Sequence, residues 1–288
     1  MAQHSASDPT HETAAECTVA DFRAAVERHW PAVSAESWDR VGLVSGRDEA
    51  PLRRVLLAVD AVAATVDEAV AWGADVLFTH HPLLLRGVHS VAEDTAKGAL
   101  LARLIRSDCA LLTAHTNADI PEGGVSAVIA ERLGLHSVRP IVESQHSAAD
   151  AAPGIGREGL LPTPETLRAF AERVSEALPQ TVSGVRVAGD PDRLVQRIAL
   201  LGGAGDSLLD HPLVRGADVY VTSDLRHHPA QESLELSAAI GGPALVDVAH
   251  WASESLWLEG AAARLAKQLP GVEFRVSGLN TDPWSFSV

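Results

Sequence analysis

The tetrapeptide Gly73-Ala74-Asp75-Val76 returns as Gly216-Ala217-Asp218-Val219, and the two copies sit inside a longer self-similarity. At the same offset Arg54 aligns with Arg197, Val55 with Ile198, Leu57 with Leu200, Asp67 with Asp210 and Thr79 with Thr222. A gapless register with this many matches implies a duplicated supersecondary unit. In the first copy, Arg54 to Asp60 is a Val/Leu-rich run suited to a strand buried on both faces. Val62, Val66, Ala69 and Val70 then follow a helix period that Gly73 stops, and Val76-Leu77-Phe78 is a second apolar run closed by Pro82. This is a β-α-β unit. The expected fold class is α/β, with two related β-α-β lobes.

Other stretches fill in the lobes. Thr18 can cap a helix that puts Val19, Phe22 and Val26 on one face, and Glu93 to Ser107 reads as a helix through Ala96, Leu100, Leu101 and Leu104. Ala110 to Ala114 and Ala244 to Val248 are strands, the latter feeding a Leu/Ala-periodic helix. Thr163-Pro164-Glu165 opens an amphipathic helix over Leu167, Phe170, Val174 and Leu178. The expected organisation is a disordered tail over 1–17, a first lobe over 18–140, a crossover over 141–162 with a short strand near Ile155 to Gly159, and a second lobe over 163–288.

Charge and composition exclude several functions. A net charge of −15 without a cluster of Lys or Arg disfavours a grip on nucleic acid or an anionic membrane surface. No apolar run reaches membrane-spanning length. Cys17 and Cys109 are too few for a disulfide framework and lack metal-finger spacing, which fits a cytoplasmic protein.

The residues with chemical potential sit just past strand ends. His80 and His81 follow Val76 to Thr79, at the edge where open α/β sheets bind ligands. Two imidazoles on consecutive extended residues point to opposite sides, so they suit two metal ions better than one. The plainer alternative is one histidine capping the strand and one in solvent. His115-Thr116-Asn117-Ala118-Asp119 follows the next strand, where Asp119 is either a ligand or part of a turn. His250 and Glu254, four apart at a helix start, either converge on a cation or form a surface pair. Glu36-Ser37-Trp38-Asp39-Arg40-Val41-Gly42-Leu43 reads as a polar loop, a turn with a packed aromatic, and His227-His228 as a solvated helix start. At the equivalent of His80-His81 the second lobe carries Ser223-Asp224, expected to lie outside a metal's ligand set.

Taken together, WDRVG (38–42), GADVLFTHHP (73–82), HTNAD (115–119), GADVYVTSD (216–224) and AHWASE (249–254) resemble the NIF3-like family, also called GTP cyclohydrolase 1 type 2 homologue proteins. The resemblance runs from about Thr18 to the C-terminus in the same motif order. It implies two α/β lobes, each a three-layer α/β/α sandwich, a dinuclear metal site between them, and a homohexamer. It would make His80 and His250 ligands of one metal, His81 and Asp119 ligands of the other, and Glu254 a bridge. The usual last motif in the family looks like Gly-His-Tyr-Ala-Thr-Glu, so Ala249, Trp251 and Ser253 depart from it while the ligand positions stay. Longer members carry a domain inserted between the lobes, for which this chain has no room.

Two divalent ions, with Zn, Mn or Fe suited to mixed imidazole and carboxylate ligands, would support hydrolysis of a nucleotide or other phosphorylated small molecule. The alternative is a non-catalytic metal-binding regulatory or scaffold protein acting through a partner. No P-loop and no nicotinamide fingerprint is present.

Overall fold

The computed structural model describes residues 17–144 and 153–288. Its strands are β1 (Gly42–Ser45), β2 (Arg54–Ala58), β3 (Val76–Thr79), β4 (Ala110–Thr113), β5 (His136–Arg139), β6 (Val142–Glu143) and β7 (Gly154–Ile155). They continue as β8 (Arg157–Thr166), β9 (Arg186–Ala188), β10 (Leu194–Ala204), β11 (Val219–Ser223), β12 (Ala244–Val248) and β13 (Glu273–Val276). One sheet has the order β1-β4-β3-β2-β13, the other β5-β8-β10-β11-β12-β9, and β6 pairs with β7 alone.

The duplication is structural. In the first sheet Val55 pairs with Val76 and Leu57 with Phe78; in the second Ile198 pairs with Val219 and Leu200 with Val221, all parallel and in the same register. A third parallel strand extends each copy, with Val76 opposite Ala110 and Val219 opposite Ala244. An antiparallel strand borders each trio, β1 on β4 and β9 on β12. The repeated Asp shows why the tetrapeptide recurs. Asp75 Oδ2 accepts from the backbone N–H groups of Arg53 and Arg54 at 2.7 and 2.9 Å, and Asp218 Oδ2 from those of Gln196 and Arg197 at 2.9 and 2.8 Å. Each carboxylate thus fastens the start of one strand to the backbone of its parallel neighbour. The glycines differ: Gly73 needs its left-handed φ of 72° to end a helix, whereas Gly216 has φ −83°.

Strand side chains alternate between two faces, and both are buried. Leu56, Leu77 and Leu111 pack outward against helices Ala63–Trp72 and Ala96–Arg106. Val55, Leu57, Val76, Phe78 and Leu112 turn inward to a core shared with Ile198, Leu200, Val219 and Val221 of the second sheet. The shared layer contains helices Val19–His29, Val125–Arg132, Leu167–Ala177 and Trp257–Gln268. The outer face of the second sheet is covered by Val214, Leu213 and Leu234 around Tyr220 and Leu245. Each sheet therefore lies between helices, and the α/β/α lobes meet back to back over one helical layer.

Several expectations are corrected. The last strand, placed by sequence in the second lobe, pairs parallel with β2, because Glu273 to Val276 continues the first sheet's edge from Arg54 to Leu57. Among its described residues the crossover is largely strand: β8 runs on through Thr163-Pro164-Glu165, and the helix begins after Thr166, whose hydroxyl accepts from Ala169 N. Pro164 is tolerated there because the β8–β10 register shifts between Glu165 and Leu160, where no ladder bond is asked of it. Cys17, assigned to the tail, is held by its carbonyl accepting from Leu52 N at 2.7 Å. The remainder of that tail lies outside the described residues. His227 and His228 are exposed at the start of helix His227–Ile240, as expected.

If Asp75 and Asp218 do equivalent work, Asp75→Ala and Asp218→Ala should each lower stability by about 1–3 kcal/mol, the cost of orphaned amides that had a charged acceptor. Urea unfolding of the two variants measures this. Loss in one lobe only would show that the repeat is kept for another reason.

Candidate metal centre

The carboxyl ends of β3, β4 and β12 approach one another across the two lobes. β3 delivers His80 and His81, β4 delivers His115 and the short helix Thr116–Asp119, and β12 delivers His250 and Glu254 on helix His250–Ser255. His80 and Glu254 are buried, and Asp119, His81, His115 and His250 are partly so. The ligand atoms of His80, His81 and His115 all lie within 4.8 Å of one another, as do those of His81, His250 and Glu254.

The two adjacent histidines do not diverge. In a regular strand successive N–H groups point to opposite neighbours, but His80 N and His81 N both donate to β2's side, to Ala58 O and Val59 O at 3.1 and 2.8 Å. The strand has ended at Thr79, and the bend brings the two rings to a centroid distance of 5.2 Å.

All four histidines are anchored through Nδ1. That of His80 donates to Ala114 O at 3.1 Å, and those of His81, His115 and His250 to the carboxylates of Asp60, Asp39 and Asp224 at 2.7, 2.8 and 2.7 Å. With Nδ1 carrying the proton, a neutral ring turns the Nε2 lone pair into the cluster, the arrangement typical of metal-binding histidines. There Nε2 of His81 stands 2.8 Å from Glu254 Oε2, and Nε2 of His250 and of His80 stand 3.0 and 3.5 Å from Glu254 Oε1. Lone pairs at these separations repel unless a cation lies among them. His80 Nε2 and Glu254 Oε2 are buried without a hydrogen-bond partner. The donor set therefore fits divalent cations.

Without a metal, protons must serve. Burial alone would lower the His81 pKa, but Glu254 and Asp60 raise it to about 10. His250, subject to the same burial, is raised to about 11 by Glu254 and Asp224. His80 is lowered, by burial first, against the pull of Glu254. Burial also opposes ionisation of Glu254, yet His81, His80 and His250 hold its pKa well below the ordinary value. Asp119 is the reverse: burial and the Glu254 charge raise its pKa.

Backbone shape protects the central carboxylate. Gly203, at φ 77° on β10, sits where a Cβ would come within 2.6 Å of Glu254 Oε1, so a side chain there would displace that carboxylate. Ser253 Oγ accepts from Gly203 N at 2.9 Å and donates to His250 O at 2.7 Å, tying helix and strand together.

All five expected residues are thus gathered. Glu254 is the common neighbour, 3.5 Å from His80 Nε2, 2.8 Å from His81 Nε2 and 3.0 Å from His250 Nε2, while Asp119 lies 3.9 Å from His80 Nε2. His80 points inward beneath β4's end, while His81 faces β12 across the lobe boundary. His115 was missed as a donor, although it follows its strand as His80 does. Asp39 was taken for a turn residue, yet its carboxylate is buried and accepts from His115 Nδ1, Thr116 N and Thr116 Oγ1. Asp224 lies behind His250 and outside both donor groups, as expected. The cluster opens into a cleft of about 470 Å³ lined by His81, His115 and His250 at one end and by Thr281 to Trp284 along a wall.

A two-lobed α/β protein with a His/carboxylate cluster at its facing strand ends is the class these features define. The sequence profile of the Duf34/NIF3 (NGG1p interacting factor 3) family matches residues 17–283, and the chain belongs to that family. A Streptomyces coelicolor protein named "GTP cyclohydrolase 1 type 2 homolog" is 48% identical over 268 residues, 92% of each chain. A Mycobacterium tuberculosis protein of the same name is 35% identical over 373 residues, covering 93% of this chain and 96% of its own. Among solved structures, a Bacillus cereus protein related to NIF3 superimposes with a TM-score of 0.85 at 25% identity, covering 95% of this chain and all of its own. The Staphylococcus aureus protein SA1388 gives 0.82 at 28% identity, over 94% and 99%. Among the described residues no helix is long and apolar enough to cross a membrane.

Any divalent ion entering this cluster must displace the protons on His81 and His250, whose raised pKa values leave both charged at neutral pH. Calorimetric titration with Zn at pH 7.5, in buffers of different ionisation enthalpy, should show about two protons released per chain, with affinity rising toward pH 10. Release near zero would mean that the rings are already neutral.

Proposed function

We propose that this chain is a metal-dependent hydrolase that uses two divalent ions, Zn, Mn or Fe, on a nucleotide or other phosphorylated small molecule. The observation that carries the reading is the inward-facing set of Nε2 atoms around Glu254, opening on a substrate-sized cleft. Glu254 suits a bridging role because its Oε1 lies near His80 and His250 while its Oε2 lies near His81. His115 and Asp119 complete the donors on the β4 side. When bound, the ions would supply Lewis-acid polarisation and activation of water for hydrolysis. The chain's own part is orientation: Asp60, Asp39 and Asp224 hold three rings in one tautomer, and Trp257, 5.5 Å from the His80 ring, walls the buried side with hydrocarbon. The name carried by the relatives points to GTP, which falls within this substrate class.

Glu254→Gln keeps the shape of the side chain and removes its charge. It should fold normally, bind at most one ion tightly, and lose the hydrolysis of phosphoesters and nucleotides found for the parent, with His250→Ala as a second control. Two equally tight sites in Glu254→Gln would end the bridging assignment. A metal-loaded parent inert toward the whole panel would favour the regulatory alternative.

The reading includes a cytoplasmic homohexamer, supported by the family's character and by two unpaired cysteines, Cys17 and Cys109. Light scattering on the purified chain should give the mass of six subunits, and a monomer mass at micromolar concentration would remove that part.

A further inference from the structure

Three rings of the cluster lean on aspartates, and the aspartates differ in how their second oxygen is held. Asp39 takes His115 Nδ1 on Oδ1 and the Thr116 hydroxyl on Oδ2. Asp60 repeats the arrangement, taking His81 Nδ1 on Oδ1 at 2.7 Å and the Thr281 hydroxyl on Oδ2. Asp224, which takes His250 Nδ1, has a side chain 61% exposed, against 24% for Asp60 and 0% for Asp39. A carboxylate held at one oxygen still turns about its terminal torsion, which is soft, and the histidine on it turns too. A hydroxyl on the other oxygen stops that rotation.

Thr116 stands beside its histidine in sequence, whereas Thr281 lies 221 residues beyond Asp60. β13 brings it back. Glu273 to Val276 runs parallel to β2, and Ser277 continues the contact, its N–H donating to Leu57 O at 2.8 Å and its hydroxyl to Glu68. Asn280 Nδ2 then donates to Gln180 O of the second lobe at 3.4 Å. Thr281 is thus located by both lobes before it meets Asp60.

We propose that Thr281 is a positioning residue of the metal centre, whose hydroxyl locks the Asp60 carboxylate and through it the His81 ring, so that Nε2 faces the Glu254 oxygens. It acts through Asp60 and not by ligation. This rests on the reading of His81 as a metal donor and adds the support that the C-terminal segment supplies to it.

The test uses the full chain, with Zn titrated against a chromophoric chelator and Co(II) as a visible probe of the ligand field. Thr281→Val exchanges a hydroxyl for a methyl of similar size. It should weaken Zn binding about tenfold at one site, the lower end of what supports of metal-binding histidines contribute, and should shift the Co(II) bands. Thr281→Ser should restore the parent's affinity and spectrum. In an Asp60→Ala background Thr281→Val should cause no further loss, because the hydroxyl then has no carboxylate to hold. A bond that merely fastens the segment would lower the urea midpoint of metal-free Thr281→Val and leave Zn affinity and Co(II) bands unmoved. That result, or a tenfold loss that persists in the Asp60→Ala background, would overturn the proposal while leaving the metal reading intact. A parent chain that takes up no Zn would remove the metal reading and this proposal with it.

Discussion

The Glu254 carboxylate sits among imidazole nitrogens whose other ring nitrogens are already spoken for, and much of the surrounding structure follows from that. Asp60 and Asp224 keep the Nδ1 protons of His81 and His250 in place, so the two Nε2 atoms meet carboxylate oxygens at 2.8 and 3.0 Å. Only positive charge makes such contacts attractive, whether brought by protons or by metal ions. The supporting features then have a reason. Gly203 leaves room beside Oε1, Ser253 fixes the backbone that carries Glu254, and the aromatic cluster of Trp30, Phe78 and Trp257 prevents water from solvating His80 from behind.

The same constraint explains why the site needs both lobes. Both sheets contribute donors at their strand ends, and the His81/His250/Glu254 group joins the two. The first provides His80, His81, His115 and Asp119, and the second provides His250 and the carboxylate. The inward faces of the two sheets share one core, so the approach of β3 and β4 to β12 is set by packed side chains rather than by a hinge. β13 reinforces this, because the chain returns from the second lobe to add a strand beside β2. The segment that follows, Thr281 to Trp284, lines a wall of the cleft and bonds Asp60 through Thr281.

What could be read from the sequence was what repeats locally. The tetrapeptide copies and their apolar flanks gave the parallel β-α-β pairs and the equivalence of the two copies, because a gapless constant offset carries one unit onto the other. The five donors were legible as polar residues placed just after strands. Their supports were not: Asp39 and His115 meet from positions far apart in the chain, and so do Asp60 and His81, so nothing local marks them. The strand through Pro164 was missed because proline ordinarily breaks a ladder, and only the register shift against β10 makes it acceptable. The destination of β13 was hidden because a four-residue strand alternating charged and apolar residues does not say which sheet it will join.

Duplication with divergence accounts for one site where the fold could have built two. The residue at the second lobe's equivalent of His81 is Asp224, and of His80 is Ser223. Neither offers a ring nitrogen, yet both serve the centre formed on the other copy. Asp224 adopts a left-handed φ of 56° and accepts from His250 Nδ1, while Ser223 Oγ lies 3.4 Å from the Ser253 hydroxyl that fixes Gly203. A non-glycine residue in that backbone region is strained, and it persists where the surroundings demand it. Here the demand is the orientation of His250. One copy of the strand end thus carries the histidines of the candidate centre, and the other became the part that aims His250 from β12 at them.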